Sequence, residues 1–150
     1  MAGYFKMGIF QPQHGENVGT LWRSAYQLGA LGIFTVGRRY DKQASDTHST
    51  YRHIPLEFYE TFDILAGVVP VNAKLVLVEM DGIPLARFQH PEHAVYLLGS
   101  EAFGLDPIPQ EVRQKYMTVS VESVRHDSYN VAVAGSLVMY DRAVKRGFEP

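Results

Sequence analysis

A predicted buried strand runs directly into a loop bracketed by two glycines in the stretch Leu97-Leu98-Gly99-Ser100-Glu101-Ala102-Phe103-Gly104-Leu105. The two glycines match the outer positions of a phosphate-binding P-loop, but Leu105 and Asp106 stand where that motif needs Lys followed by Ser or Thr. Ser100 is not set in the G-x-S-x-G pattern of a nucleophile elbow. The stretch therefore disfavours hydrolysis of nucleoside triphosphates and leaves two interpretations, a tight structural turn after a strand or a ligand-binding loop.

Short apolar runs rich in Val, Ile, Leu and Phe recur along the chain, and helical patterns separate them. Such runs are typical of strands that are buried on both faces of a parallel sheet. The predicted strands are Tyr4 to Phe10, Ile33 to Val36, Leu75 to Val78, Val95 to Leu98 and Met117 to Val121. The predicted helices are Asn17 to Leu28, Phe62 to Val69, Pro109 to Lys115 and about Asn130 to Lys145. This alternation predicts an α/β fold with a mainly parallel sheet flanked by helices.

Polar residues mark two of the predicted helix starts and one long loop. Asn17 stands in a good N-cap position for the first helix, and Ser128 or Asn130 does so for the last helix. The polar stretch from Gly37 to Thr50 has no apolar periodicity, which predicts a surface loop.

The composition limits the classes of protein that the chain can belong to. The chain has 150 residues, of which 46% are hydrophobic and 20% are charged, which fits a single globular domain over residues 1–150 and excludes a disordered chain. The formal net charge of -2 means that any polyanionic partner must be met by a local patch. The chain has no cysteine, which excludes disulfides, a thiolate nucleophile and Cys-containing metal sites, and which fits a cytoplasmic protein.

Histidine offers no metal-binding pattern. His90 and His93 have the side chains of metal ligands, but no third ligand stands near them and no H-E-x-x-H motif occurs. We therefore expect no metal site, and we expect the scattered histidines to be surface or capping residues.

Two other segments combine polar side chains with small residues at a predicted helix start. The first, His14-Gly15-Glu16-Asn17-Val18-Gly19-Thr20-Leu21-Trp22-Arg23, is either an anion site at a helix N-terminus or a capped helix with Arg23 as a surface charge. The second is Ser128-Tyr129-Asn130-Val131-Ala132-Val133-Ala134-Gly135-Ser136, whose small residues allow close approach of another backbone or of a flat ligand.

Taken in order, the three segments resemble the motifs of the SPOUT superfamily, specifically its TrmH (SpoU) branch of RNA ribose 2'-O-methyltransferases. The matching positions are Asn17-x-Gly19-x-x-x-Arg23, Leu98-Gly99-Ser100-Glu101-x-x-Gly104-Leu105 and Ser128-Tyr129-Asn130-Val131-Ala132-Val133-Ala134. The resemblance implies an S-adenosylmethionine-dependent enzyme, a deep trefoil knot near the C-terminus and an obligate homodimer. Two alternatives stay open, a SPOUT-like module that binds RNA or cofactor without catalysis and an α/β enzyme that uses another nucleotide-like ligand.

The resemblance also implies which residues form the site. It places S-adenosylmethionine against Val78, Gly99, Val121, Ser128 and Tyr129. It gives roles in catalysis, or in holding the active site together, to Asn17, Arg23, Glu101, Ser128 and Asn130. Arg23 is expected beside the cofactor of the partner subunit, where it either grips an RNA phosphate and lowers the pKa of the hydroxyl or acts as the base.

The RNA substrate is also inferred from the resemblance. The chain is similar to the minimal members of the branch, which act on transfer RNA, so transfer RNA is favoured over ribosomal RNA. The RNA surface is expected to draw on Arg23, Arg38, Arg39, Lys42 and further on Arg142, Lys145 and Arg146. For the last three we favour solvated charges at a helix C-terminus. Two positions depart from the family pattern, Glu122 in place of a common proline and Tyr129 in place of the usual Leu.

Overall fold

A computed structural model describes residues 3–40 and 53–148 of the chain. Its strands are β1 (Tyr4–Phe10), β2 (Gly32–Val36), β3 (Leu56–Tyr59), β4 (Lys74–Pro84), β5 (His93–Leu98) and β6 (Met117–Ser120). Its helices are α1 (Gly15–Gln27), α2 (Phe62–Val68), α3 (Gln110–Arg113) and α4 (Val131–Arg146), with a 3-10 turn at Leu85–Arg87. Every strand and helix predicted from the sequence is present, and only β4 extends far beyond its predicted end.

The described strands form one sheet in the order β3-β2-β1-β5-β4-β6, and each neighbouring pair runs parallel. The prediction of an α/β fold with a mainly parallel sheet is therefore confirmed. Strands β2 and β3 are added in order on one side of β1. Strands β5, β4 and β6 lie on the other side of β1, so the strand order reverses at β1. Carboxyl ends of strands on either side of such a reversal form a crevice that binds ligands in α/β proteins. The knot implied by the resemblance stays a prediction.

The sequence did not predict β3. Its four residues are all half-buried because the strand lies at the edge of the sheet, and Glu57 interrupts the apolar run. Backbone pairing with β2 and an ion pair of 2.7 Å between Glu57 and Lys6 of β1 hold the strand in place. A short edge strand thus carries no continuous apolar signal.

The unexpected length of β4 comes from a bulge. The pairing of β4 with β6 shifts register between Val78 and Ile83. A Cβ at Gly82 would lie 2.6 Å from backbone atoms of Val119, so only glycine lets the bulged segment close against β6. The bulge places three side chains at the carboxyl end of the sheet, those of Glu79, Met80 and Asp81.

Apolar side chains cover both faces of the sheet. Met7, Leu21 and Met139 belong to a buried cluster that joins the sheet to α1 and α4. Phe34 and Leu65 belong to a second cluster on the face that α2 covers. Burial on both faces explains why the strands read as continuous apolar runs.

The starts of α1 and α4 differ from each other in how they are capped. Asn130, one of the two residues predicted to cap α4, is its N-cap, because its side-chain oxygen accepts hydrogen bonds from the backbone N–H groups of Ala132 at 2.9 Å and Val133 at 3.3 Å. The prediction of Asn17 as the N-cap of α1 is wrong. His14 occupies that position without a side-chain capping bond, whereas Asn17 lies buried within the first turn and uses its side chain in tertiary contacts.

The predicted surface loop falls mostly outside the described residues, which include only its first four positions, 37–40. Lys42, one of the cations expected to bind RNA, also lies outside them. Within residues 3–40 and 53–148, no helix is both long enough and apolar enough to cross a membrane.

Candidate active site

A cavity of about 770 Å³ lies at the carboxyl ends of β1, β4, β5 and β6. The loops after β1, β5 and β6 contribute to its wall, beginning respectively with His14, Gly99 and Val121, and the bulge within β4 contributes Glu79. The volume falls within the range of pockets that hold small-molecule ligands. The cavity therefore occupies the crevice that is expected from the strand order.

A chain of side-chain hydrogen bonds follows one wall of the cavity. Asn130 Nδ2 donates to Asn17 Oδ1 at 3.0 Å, and Asn17 Nδ2 donates to Glu101 Oε1 at 3.0 Å. The other carboxylate oxygen of Glu101 accepts a hydrogen bond of 2.7 Å from the backbone N–H of Gln13. This network joins the starts of α1 and α4 to the loop after β5, so polar residues from all three sequence segments meet there.

The loop after β5 forms a tight turn. Ser100 and Gly104 exchange two backbone hydrogen bonds of 2.9 Å, and Ser100 Oγ accepts another from the backbone N–H of Ala102 at 3.1 Å. A Cβ at Gly99 would lie 2.6 Å from the carbonyl carbon of Gly104, so only glycine fits there. The interpretation as a structural turn is confirmed, and the same turn lines the cavity.

The loop between β6 and α4 is fastened by the two residues that depart from the family pattern. The Tyr129 hydroxyl donates to the backbone carbonyl of Glu122 at 2.7 Å. The Glu122 carboxylate in turn accepts a hydrogen bond of 3.4 Å from the backbone N–H of Ala86 in the 3-10 turn. Both residues therefore shape this side of the cavity wall.

The small residues of α4 serve two purposes. A Cβ at Gly135 would lie 2.5 Å from Leu21 Cδ1 and 2.8 Å from Leu98 Cδ1, so this glycine lets α4 pack closely against α1 and β5. Ala134, one position earlier, lines the cavity. The close approach expected from the sequence is therefore made by protein side chains at Gly135. At Ala134 the small side chain borders the cavity.

The structure brings together all but one of the residues that the resemblance assigns to the site. Those that line the cavity are Asn17, Val78, Gly99, Glu101, Val121, Ser128, Tyr129 and Asn130. Arg23 does not line it, because its side chain lies on the exposed face of α1. Its expected place beside the cofactor of a partner subunit stays a prediction.

The cations expected to bind RNA differ in their surroundings. Arg38 and Arg39 are exposed, and the Arg39 guanidinium carbon lies 4.1 Å from the centroid of the Phe58 ring. Their positions are compatible with contact to a polyanion, which stays a prediction.

Both expectations for Arg142 are wrong, because its side chain is neither an RNA contact nor a solvated charge. Arg142 is 4% exposed, and its guanidinium donates to the backbone carbonyls of Pro91 and Glu92, each at 2.7 Å. Lys145 and Arg146 also donate to backbone carbonyls, those of Leu85, Phe88 and His90. These cations hold the C-terminal half of α4 against the segment between β4 and β5.

A buried histidine, His90, lies beside Arg142. His90 Nδ1 lies 2.7 Å from Tyr96 Oη, and His90 Nε2 lies 2.7 Å from Asp141 Oδ2. Arg142 donates to Tyr96 Oη at 3.1 Å, so the Tyr96 hydroxyl hydrogen is available to His90 Nδ1, and Nε2–H donates to Asp141. Burial lowers the pKa of His90 from 6.5 and raises that of Tyr96 to about 12.

Three cavity residues were missed in the sequence. Glu79 lies in the β4 bulge and forms an ion pair of 2.5 Å with Arg113 at the end of α3. Phe103 is 54% exposed at the cavity rim, in the turn after β5. For Glu79 the sequence signal is Gly82, which follows polar residues in an apolar strand and is typical of a bulge. Phe103 lies within the glycine-bracketed stretch from Leu97 to Leu105 but was not singled out there.

Comparison with protein families identifies one match over most of the chain. The sequence profile of the SpoU rRNA methylase family matches residues 5–140. Among curated proteins, none matches the chain.

Solved structures with the same fold include RNA-modifying enzymes. One, from a study of the 2-OH methylation of C/U34 on tRNA, has a TM-score of 0.76 and 22% identity, with 95% of each chain covered. An AdoMet-bound rRNA methyltransferase from Sinorhizobium meliloti has a TM-score of 0.80 and 22% identity, covering 97% of this chain and 57% of that one. The A. aeolicus TrmH/SpoU tRNA modifying enzyme has a TM-score of 0.75 and 14% identity, covering 95% and 75%. The present chain thus spans little more than half of the Sinorhizobium protein.

Proposed function

The chain belongs to the SpoU rRNA methylase family, and on this premise we propose that it is an S-adenosylmethionine-dependent methyltransferase that acts on a ribose 2'-hydroxyl of RNA. The observation that carries the proposal is the hydrogen-bonded chain of Asn130, Asn17 and Glu101 on the cavity wall. A module that only bound RNA or cofactor would not need polar side chains from three distant segments in one network. The network therefore favours an enzyme over a binding module.

The cavity fits S-adenosylmethionine in size and in chemistry. Its volume of about 770 Å³ accommodates a nucleoside with an amino-acid chain. Val78, Val121 and Ala134 supply apolar surface for a purine ring. Carboxylates suit a positively charged sulfur, and the wall holds those of Glu16, Glu79, Asp81, Glu101 and Asp106.

S-adenosylmethionine, when bound, supplies a methyl group on a positively charged sulfur. The protein's part is to align the ribose oxygen with that methyl group and to assist loss of the hydroxyl proton. The fixed network of Asn17, Asn130 and Glu101 gives the wall a single geometry, which is what alignment requires. Arg23 is assigned to an RNA phosphate, since a guanidinium stays protonated and favours ionisation of a neighbouring hydroxyl.

The charge of the cavity wall also indicates where the RNA backbone lies. A wall rich in carboxylates repels phosphates, so only the target ribose is expected to enter the cavity. The phosphates must be bound outside it, and Arg23, Arg38 and Arg39 are exposed there. The net charge of -2 is compatible with RNA binding if these cations form a local patch.

Transfer RNA is the favoured substrate. The solved structure from the study of the 2-OH methylation of C/U34 on tRNA is similar to this chain over 95% of both chains, which supports this substrate. Ribosomal RNA is the alternative substrate within the same reaction.

A homodimer would complete the active site. The exposed face of α4 carries a stripe of apolar side chains, the α4 stripe, which consists of Val133, Leu137, Tyr140 and Val144 and continues to Phe148. α1 packs beside α4 through the hydroxyls of Ser24 and Ser136, which lie 2.9 Å apart. An apolar stripe of this kind marks a protein interface, and a partner bound there would approach the face of α1 that carries Arg23.

The proposed reaction is tested by incubating the purified protein with bulk tRNA and methyl-labelled S-adenosylmethionine, beside an Arg23→Ala control. Nuclease digestion to nucleosides then locates the label. We expect label in a 2'-O-methylnucleoside and its loss in the control. Cofactor binding without transfer to tRNA, but with transfer to ribosomal RNA, would favour the alternative substrate, and no cofactor binding would refute the proposal.

A shared active site is tested by mixing two inactive variants. Arg23→Ala lacks the residue expected from the partner, and Asn130→Ala lacks a residue of the cavity wall. A mixed dimer keeps one intact site, so an equimolar mixture that exchanges subunits should recover about one quarter of wild-type activity. No recovery despite subunit exchange would mean that Arg23 acts within its own subunit.

A further inference from the structure

Glu79 and Arg113 form an ion pair on the wall of the cavity. The pair is separate from the hydrogen-bonded network of Asn130, Asn17 and Glu101. Arg113 Nη1 donates to Glu79 Oε1 at 2.5 Å, and Arg113 Nε donates to the backbone carbonyl of Ile108 at 2.8 Å. The side chains are only 20% and 18% exposed. Two fixed contacts leave the guanidinium with one orientation, and its remaining N–H groups are available at the cavity wall.

The existence of this ion pair is weak evidence for a purely structural role. Partly buried ion pairs are often replaceable by apolar side chains without loss of stability, since desolvation offsets much of the Coulombic attraction. Here the carboxylate comes from a strand bulge and the cation from the end of a short helix. A bulge that brings a carboxylate to a cavity suggests a role for the pair in binding.

The charges of the wall show what kind of ligand group Arg113 suits. Among the described residues that line the cavity, Arg113 is the only Lys or Arg, whereas five are Asp or Glu. A ligand with a carboxylate of its own would be repelled from most of this wall. Arg113 is the place on the wall where such a group finds an opposite charge.

We propose that Arg113, oriented by Glu79 and the Ile108 carbonyl, binds the carboxylate of the methionine part of S-adenosylmethionine. This inference rests on the proposed function, since it assumes that S-adenosylmethionine is the ligand. Glu79 is a positioning residue, because it acts by holding Arg113. The planar guanidinium pairs with a carboxylate through two parallel hydrogen bonds, which the compact ammonium of Lys cannot reproduce.

The experiment compares two ligands that differ in this one group, S-adenosylmethionine and its decarboxylated form, by isothermal titration calorimetry. The wild-type protein should bind S-adenosylmethionine more tightly, by about tenfold or more, as expected for a charge-assisted pair. Arg113→Gln should abolish this preference and leave the affinity for the decarboxylated form within a few fold of wild type. Lys115→Gln, which removes an exposed cation from outside the cavity wall, should keep the wild-type preference.

Each failure has a distinct meaning. If Arg113→Gln keeps the wild-type preference for S-adenosylmethionine, the inference is wrong while the proposed function stands. If the wild-type protein binds neither ligand, the proposed function falls and the inference with it. Should Arg113→Gln not fold, Glu79→Gln provides the test, because it leaves Arg113 in place but loosely held and should reduce the preference. An unchanged preference in Glu79→Gln would then overturn the inference.

Discussion

Asn130 donates a side-chain hydrogen bond of 3.0 Å to Asn17, although 113 positions of the chain separate the two residues. The backbone N–H groups at the start of α4 occupy the oxygen of the Asn130 amide, so its NH₂ group must face Asn17. Asn17 accepts with its oxygen and therefore presents its own NH₂ group to Glu101. Both side-chain hydrogen bonds are thus donated in the same direction, toward the carboxylate of Glu101.

This direction predicts a compensating pair of substitutions. Asn17→Asp removes the donor to Glu101 and places two carboxylates together. Glu101→Gln replaces the carboxylate oxygen that accepts from Asn17 with an NH₂ donor, so each change should lower the free energy of unfolding by about 1–3 kcal/mol. In the double variant, the Gln amide donates to Asp and still accepts from the backbone N–H of Gln13. Urea unfolding of the four proteins should show recovery to within about 1 kcal/mol of wild type. Additive losses would mean that the two side chains are not coupled.

The buried His90 predicts that stability depends on pH. Burial lowers the pKa of the folded-state imidazole below 6.5, and the carboxylate of Asp141 opposes this shift only in part, while Arg142 and Lys145 add to it. Below pH 6.5 the unfolded chain binds a proton at this position that the folded chain resists, so the free energy of unfolding should fall as the pH decreases from 6.5. Above pH 6.5 this contribution is complete.

The measurement is chemical unfolding at a series of pH values between about 5 and 8, the range in which histidine titrates. His90→Gln should show a smaller dependence of stability on pH than wild type, whatever its absolute stability. His53→Gln, which alters an exposed histidine, should keep the wild-type slope. An equal slope in wild type and His90→Gln would contradict the assigned neutral state.

Because Arg142 is buried, we predict that its substitution lowers stability, although its charge and position in the sequence suggested an RNA contact. Arg142→Met leaves backbone carbonyls around Pro91 and Glu92 without their donors, so we expect a loss of about 2–4 kcal/mol in the free energy of unfolding. Arg87→Met, at an exposed position, should change stability by less than about 0.5 kcal/mol. Thermal unfolding of both variants tests this, and a mild effect at Arg142 would argue against its structural role.

The α4 stripe predicts a dimer interface. Leu137→Glu and Tyr140→Glu together place two charges in an apolar contact, so they should convert the protein to a monomer and abolish methyl transfer while cofactor binding persists. Val71→Glu introduces the same charge at a fully exposed apolar residue elsewhere and should leave the assembly unchanged. Sedimentation velocity distinguishes the two states. A wild-type monomer, or a dimer that survives both changes, would exclude this interface.

Arg38 and Arg39 predict the salt dependence of RNA binding. If each cation binds one phosphate, reversing both charges by Arg38→Glu and Arg39→Glu should weaken tRNA binding and reduce the slope of log K against log salt concentration by about 2. Filter binding between low and moderate salt measures both quantities. Reversal of Lys74, an exposed cation at the opposite end of the sheet, serves as the control. Unchanged affinity and slope would place the RNA elsewhere.

Local apolar patterns in the sequence predicted five of the six described strands and all four described α-helices. Strands such as β1 and β5 are buried on both faces, so their sequences are nearly continuous apolar runs. The edge strand β3 and the β4 bulge escaped prediction because partial burial and polar residues leave no such run. Local patterns report burial along one segment, and these two elements depend on their neighbours in the sheet.

The site divides in the same way. The three motifs identified Asn17, Glu101 and Asn130 as polar residues of one site. Only the tertiary structure shows that hydrogen bonds run from Asn130 through Asn17 to Glu101. It also shows that Asn17 lines the cavity and is not the helix cap. The pairing of Glu79 with Arg113 and the burial of Arg142 could not be read from the chain, since each depends on segments that are far apart in sequence. Residue type and spacing fix which groups are available, whereas packing decides which of them meet and which face water.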